Sequence, residues 1–122
     1  MPGLNEMRLI MMGLFSWLFL GHLAGDFLLQ TRWMAEKKAQ EFLPLVVHSA
    51  VYTGTVALLA LKAGGLSWLG IGLIFLGHLL LDQRAFVYFW AKTVNGNTSI
   101  EWLKVVSDQS WHLLILGLAT LL

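Results

Sequence analysis

Phe19-Leu20-Gly21-His22-Leu23-Ala24-Gly25-Asp26 recurs, almost intact, as Phe75-Leu76-Gly77-His78-Leu79-Leu80-Leu81-Asp82. Each copy sets a His four residues before an Asp inside a long apolar run. On a helix that spacing puts both side chains on one face, about 6 Å apart along the axis. Ionisable groups are costly inside a bilayer, where they pair with one another or mark a function. The remainder of the chain reads as the scaffold that gathers these two pairs.

The apolar runs around them decide the class. The chain has 122 residues, 57% hydrophobic and only 12% charged, with a mean hydropathy of +0.70. Soluble domains carry about 25% charged residues. The sequence therefore predicts an all-α membrane protein, a single integral membrane domain over residues 1–122. A net charge of +1 gives no basis for a nucleic-acid partner. The absence of cysteine excludes disulfides, thiolate metal sites and Cys nucleophiles. The first apolar run has no small-residue cleavage site and carries His22 and Asp26, so it reads as a retained span and not as a signal peptide.

Four transmembrane helices fit the pattern. Span one runs from about Arg8 to Leu29 and is closed by Gln30, Thr31, Arg32 and Trp33. The polar, helix-favouring stretch from Arg32 to Phe42 lies outside the membrane. Pro44 suits the first turn of a new helix, where its missing N–H costs nothing, and span two covers Leu45 to Leu61. Lys62-Ala63-Gly64-Gly65 is a turn. Span three covers Leu66 to Asp82 and either continues through Phe86-Val87-Tyr88-Phe89-Trp90 or leaves that aromatic stretch along the interface. Asn95-Gly96-Asn97 is a loop, and Thr98-Ser99-Ile100-Glu101 has the form of a capping box that starts span four. The repeated string makes spans one–two and three–four two pseudo-repeated hairpins, related by an axis along the membrane normal.

Basic residues set the orientation. Arg32, Lys37, Lys38, Arg84, Lys92 and Lys104 fall on one side, and Arg8 and Lys62 on the other. Both longer connections are thus expected in the cytoplasm and both termini outside it, in a bacterial inner membrane. Trp33, Trp90 and Trp102 read as interfacial anchors, with Trp68 on the far side.

All three Asp are four residues from a His: His22 with Asp26, His78 with Asp82, and Asp108 with His112. The third pair has the reverse order, and span four runs in the reverse direction. Each of the three helices therefore presents Asp nearer the cytoplasm and His one turn deeper. His48, one turn past Pro44, lies near the same level. Together His22, Asp26, His48, His78, Asp82, Asp108 and His112 form a candidate metal-ligand set. Imidazole with carboxylate suits zinc first, then manganese or iron, and helical pairs of this kind build one- and two-metal sites in bundles. Gln30, four residues after Asp26, and Gln109, beside Asp108, are placed to hold a ligand or cofactor group from a neighbouring position. Direct hydrogen bonding between His and Asp, serving only to lock helices together, is the structural alternative.

The ordered set resembles a small integral-membrane family of bacteria and their phages whose function is unknown. Its pattern is His-x-x-x-Asp-Phe-x-x-Gln near the start, a Lys and a His after the first loop, His-x-x-x-Asp in the third span and Asp-Gln-x-x-His near the end. Here these are His22, Asp26, Phe27 and Gln30; Lys38 and His48; His78 and Asp82; and Asp108, Gln109 and His112. The chain departs from the pattern at Gln83-Arg84, where the family often carries a Lys. The resemblance implies a compact helical membrane fold with a metal site, and by analogy of motif style a membrane-bound metal-dependent hydrolase.

The functional reading is a metal-dependent membrane hydrolase at the cytoplasmic leaflet. A divalent ion lowers the pKa of water toward ~7, and Asp26, Asp82 or Asp108, whichever is unligated, serves as general base. A membrane lipid is the expected partner, with a lipid phosphate or an amide as substrate. The alternatives are a non-catalytic metal-, haem- or pigment-binding membrane subunit and an ion- or proton-translocating module. Few polar residues continue to the far side, which argues against conduction. Four short helices bury little surface, so a homo-oligomer is a further expectation.

Overall fold

The computed structural model describes residues 1–96 and 99–122, and for residues 8–12 the backbone alone. Every element among the described residues is helical. α1 spans Leu4–Leu23 and runs into a wide π-type turn at Ala24–Leu28. α2 spans Arg32–Lys37, α3 Phe42–Ala60, α4 Trp68–Asp82, α5 Ala85–Thr93 and α6 Glu101–Ala119. The all-helical expectation holds.

Sequence chemistry accounts for most of the boundaries. Thr31 caps α2 by accepting from the Met34 N–H at 3.3 Å, and Ser67 caps α4 by accepting from the Gly70 N–H at 3.0 Å. Such caps satisfy backbone donors that a helix start leaves open. Pro44 lies in the first turn of α3 and is buried. α3 ends in a short 3₁₀ turn, Leu61–Ala63, closed by Gly64 at φ 97°. α6 begins at Glu101, with Ile100 as its cap residue; Thr98 of the expected capping box and Asn97 of the expected loop lie outside the described residues.

Two breaks depart from the predicted spans. Gly13, at φ 76°, interrupts α1 and leaves the apolar helix Gly13–Leu28 beyond it. The third span does not run on through the aromatic stretch. Arg84 takes a left-handed conformation (φ 71°), so α5 leaves α4 at 66°. Phe86 and Trp90 of α5 then pack on Trp111 of α6, with ring centroids 5.0 and 4.9 Å away. By length and apolarity, Phe42–Ala63 is a candidate membrane span, and α4 with α5 makes a second if the bent pair counts as one. That is one or two candidates among the described residues, against the four predicted.

α1 packs on α3, α4 packs on α6, and α3 packs on α4 between them. The repeated Gly-His string explains how the helices come so close. A Cβ on Gly21 would lie 2.8 Å from Val56 Cα on α3, and one on Gly77 would lie 3.0 Å from Ile115 Cγ2 on α6. In each copy glycine lets the partner helix approach, and the next residue turns its imidazole inward. One end of the bundle is apolar, built on Leu18, Tyr52, Val56, Ala60, Ile74 and Leu116. The other holds His22, Asp26, His48, His78, Asp82, Asp108 and His112, all buried.

Candidate metal centre

Four helical segments deliver the polar end. The wide turn supplies Asp26, α3 His48, α4 His78 and Asp82, and α6 Asp108 and His112. Two groups of donor atoms lie within 4.8 Å of one another: Asp26, His48, His78 and Asp82, and then Asp82, Asp108 and His112. Asp82 belongs to both. The structure thus has buried His/Asp groups able to hold a metal ion.

The first group is a compact array of two imidazole nitrogens and two carboxylate oxygens. His48 Nε2 lies 2.9 Å from Asp26 Oδ1 and 3.1 Å from Asp82 Oδ2. His78 Nε2 lies 3.4 Å and 3.7 Å from the same two oxygens. Ligands about 2.0–2.1 Å from a tetrahedral ion are separated from each other by roughly 3.3–3.4 Å. The four observed separations bracket that value, so the donor set fits a small ion bound at its centre. The opposite edge of the His78 ring is held by Ser49, whose Oγ lies 3.1 Å from Nδ1. A hydroxyl can either donate or accept. Ser49 can therefore serve His78 whether Nε2 carries a proton toward a carboxylate or offers its lone pair to a metal.

In the second group His112 is oriented by its own helix. Its Nδ1 lies 2.8 Å from the backbone carbonyl oxygen of Asp108. A carbonyl only accepts, so Nδ1 carries the hydrogen and Nε2 faces Asp82 Oδ1 at 3.2 Å. Two lone pairs cannot rest at that distance without a proton or a cation between them. Asp108 Oδ1 is buried without a hydrogen bond, its nearest charged neighbour being His112 Nδ1 at 3.5 Å, a poorly compensated state for a carboxylate oxygen.

The local charge also favours a cation. Three carboxylates meet one ammonium, Lys38 Nζ at 2.8 Å from Asp82 Oδ2, and one more distant guanidinium, Arg84 Nη2 at 3.8 Å from Asp108 Oδ2. Lys38 lines a cleft of about 380 Å³ together with Gln40, Glu41, Phe42, Leu45 and Gln83.

His22 stands beside both groups. Its Nε2–H donates to Gln109 Oε1 at 2.7 Å, and its Nδ1 accepts from the Tyr52 hydroxyl at 2.8 Å. The Gln109 amide nitrogen is then turned toward Asp108 Oδ2, 3.5 Å away. The wide turn explains the separation of His22 from Asp26. The Leu29 N–H reaches back five residues to the Ala24 carbonyl, so the extra residue rotates Asp26 away from the face that carries His22. His78 and Asp82, on regular helix, stay together. Gln30 donates to the Asp26 backbone carbonyl at 3.0 Å.

Three neighbours were not assigned to the centre from sequence. Ser49 and Tyr52 follow His48 by one and four residues, and Tyr52 stacks on His78 with ring centroids 3.9 Å apart. Polar residues just after a helical His were the available signal. Lys38 stood out only as a family-pattern residue and a basic charge. Its reach to Asp82 depends on how α2 folds back over α3.

A family model described as a protein of unknown function, DUF3307, matches residues 14–122. The chain belongs to that family, which covers nearly its whole length. No curated protein and no solved structure matches it.

Proposed function

We propose that this DUF3307 protein is a metal-dependent hydrolase of the membrane, with Asp26, His48, His78 and Asp82 holding a divalent ion, zinc by preference. The observation that carries the reading is the array of two Nε2 atoms and two carboxylate oxygens at 2.9–3.7 Å, backed by Ser49 on the outer nitrogen of His78. When bound, the ion supplies Lewis acidity that brings a water's pKa toward ~7. Asp108 is the nearby carboxylate outside this four-donor group and takes the proton as general base. Lys38, between Asp82 and the cleft, meets the anionic part of a substrate such as a lipid phosphate. An amide of a membrane lipid is the second substrate class.

Membrane residence by four crossing segments is part of the proposal. Its support is an inverted distribution of polarity. His48 is 0% exposed, whereas Leu58 is 66% and Trp68 87% exposed. Water-soluble helices bury the apolar stripe and expose the polar one, while intramembrane ionisable groups face the bundle interior. In this reading Gly13–Leu28, α3, α4 and α6 cross as two pseudo-repeated hairpins, with the His/Asp end toward the cytoplasm and both termini outside. A periplasm-dependent reporter fused after Leu122 should be active, and a cytoplasm-dependent one silent; the reverse pattern would overturn the orientation.

Metal content and hydrolysis test the function together. Purified protein should contain a divalent ion by elemental analysis and release phosphate or free acyl chain from lipid phosphate or lipid amide substrates. Chelation should abolish the release, and re-addition of zinc or manganese should restore it. Protein purified without chelator that holds no metal, and gains none on dialysis against zinc or manganese, would overturn the reading.

A further inference from the structure

We propose that the centre binds two divalent ions with different coordination, joined by the Asp82 carboxylate: a closed position at Asp26, His48, His78 and Asp82, and an open one at Asp82, Asp108 and His112. The inference rests on the metal reading above and adds a second site to it, in which Asp108 is a ligand and no longer the general base.

The first ground is that the two oxygens of Asp82 face different partners. Oδ2 faces His48 Nε2 at 3.1 Å and His78 Nε2 at 3.7 Å. Oδ1 faces His112 Nε2 at 3.2 Å. A carboxylate with one oxygen in each donor group is the usual link of two-metal centres in helical bundles.

The second ground is independent of the first site. Asp108 is 7% exposed, and its Oδ1 is buried with no hydrogen-bond partner. Its nearest charged neighbour is His112 Nδ1 at 3.5 Å, and Asp108 offers one carboxylate oxygen to the group that contains His112 and Asp82. The His112 ring is fixed by the Asp108 carbonyl at 2.8 Å, which leaves Nε2 as the free donor. A histidine oriented this way by a carbonyl on its other nitrogen is the ordinary support of a metal ligand. A cation held by this group would take an oxygen of Asp108 and separate His112 Nε2 from Asp82 Oδ1.

The donor counts assign different work to the two positions. Four protein donors fill a tetrahedral set, so water would join the first ion only as a fifth ligand, whereas three donors leave the second ion a position for water or substrate from the outset. The open position is the one bounded by α6. Gln109, tied to His22 at 2.7 Å and turned toward Asp108, holds that carboxylate from behind.

The test is metal stoichiometry on the full chain in detergent, with manganese as the probe. Wild type loaded with manganese should bind two equivalents and give an exchange-coupled electron paramagnetic resonance signal. Asp108→Asn should bind one equivalent and give the signal of an isolated ion. Asp82→Asn should bind neither ion tightly. One equivalent in the wild type, or two without exchange coupling, would overturn the bridged pair while leaving the four-donor site standing. No bound manganese or zinc would remove both readings. The wild-type coupling measurement decides the matter even if a variant does not fold.

Discussion

The Ser49 hydroxyl lies 3.1 Å from Nδ1 of His78, on the edge of the ring opposite the carboxylates. This contact fixes the ring plane and can supply or accept a hydrogen as Nε2 changes partner. Removing such an outer partner costs roughly 10–100-fold in metal affinity. Ser49→Ala should weaken zinc binding by that factor in a competition titration. Ser49→Thr, which keeps the hydroxyl, should retain most of the affinity. Equal affinities for wild type and Ser49→Ala would show that the contact is packing alone.

Lys38 reaches Asp82 Oδ2 at 2.8 Å with a side chain only 15% exposed. Its ammonium neutralises the carboxylate that the metal would also use, so the two cations compete. Lys38→Met leaves that charge without its partner and should destabilise the metal-free protein by about 2 kcal/mol, less than a fully buried pair would cost. The same variant should bind zinc more tightly, by roughly tenfold, a modest value for a lost charge-assisted contact. Thermal unfolding with and without zinc reads both effects, and a variant weakened in both states would contradict the competition.

Gly21 and Gly77 occupy like positions in the two strings but meet different atoms. The added methyl of Gly21→Ala would lie 2.8 Å from backbone, Val56 Cα, whereas that of Gly77→Ala would meet the side-chain atom Ile115 Cγ2 at 3.0 Å. Backbone cannot move aside without parting α1 from α3. Gly21→Ala should cost about 2 kcal/mol through overpacking. Gly77→Ala should be near neutral, because the shift of Ile115 is offset by the ~1 kcal/mol gain in helix propensity. Unfolding midpoints in one detergent would rank them, and equal losses would refute the distinction.

Arg84 carries the left-handed backbone of the α4–α5 corner (φ 71°). Its guanidinium is 3.8 Å from Asp108 and partly exposed, so the ion pair contributes little. Arg84→Asn and Arg84→Val both remove the guanidinium but differ in tolerance of positive φ. The Asn variant should be the more stable by about 1–2 kcal/mol. Equal midpoints would mean that the corner is not held by this residue.

The helical class, the turn after α3 and the burial-prone polar residues were legible because each has a local cause. Gly64 supplies a positive φ, Pro44 suits a first turn, and His or Asp in an apolar run stands out by composition. The bend at Gln83–Arg84 was legible only as one of two courses for the aromatic stretch, since Phe86 to Trp90 are as apolar as the run before them and Arg84 is not a residue that announces positive φ. The wide turn was equally hidden: Ala24-Gly25-Asp26-Phe27-Leu28 reads as ordinary helix, and only packing against α3 reveals the extra residue. That is why the sequence groups His22 with Asp26 while the structure sets His22 on Tyr52 and Gln109. The division into two donor groups around Asp82 depends on four helical segments meeting, information that no single stretch carries.

A helix that absorbs one surplus residue keeps its two ends in place and rotates only the side chains beyond the insertion. At Ala24–Leu28 this breaks the equivalence of two nearly identical strings. The second copy keeps its histidine and aspartate as a pair in one donor group, whereas the first sends the aspartate to that group and retires the histidine to a brace. The inserted residue makes the two strings inequivalent: one delivers both of its ionisable side chains to the donor groups and the other only one.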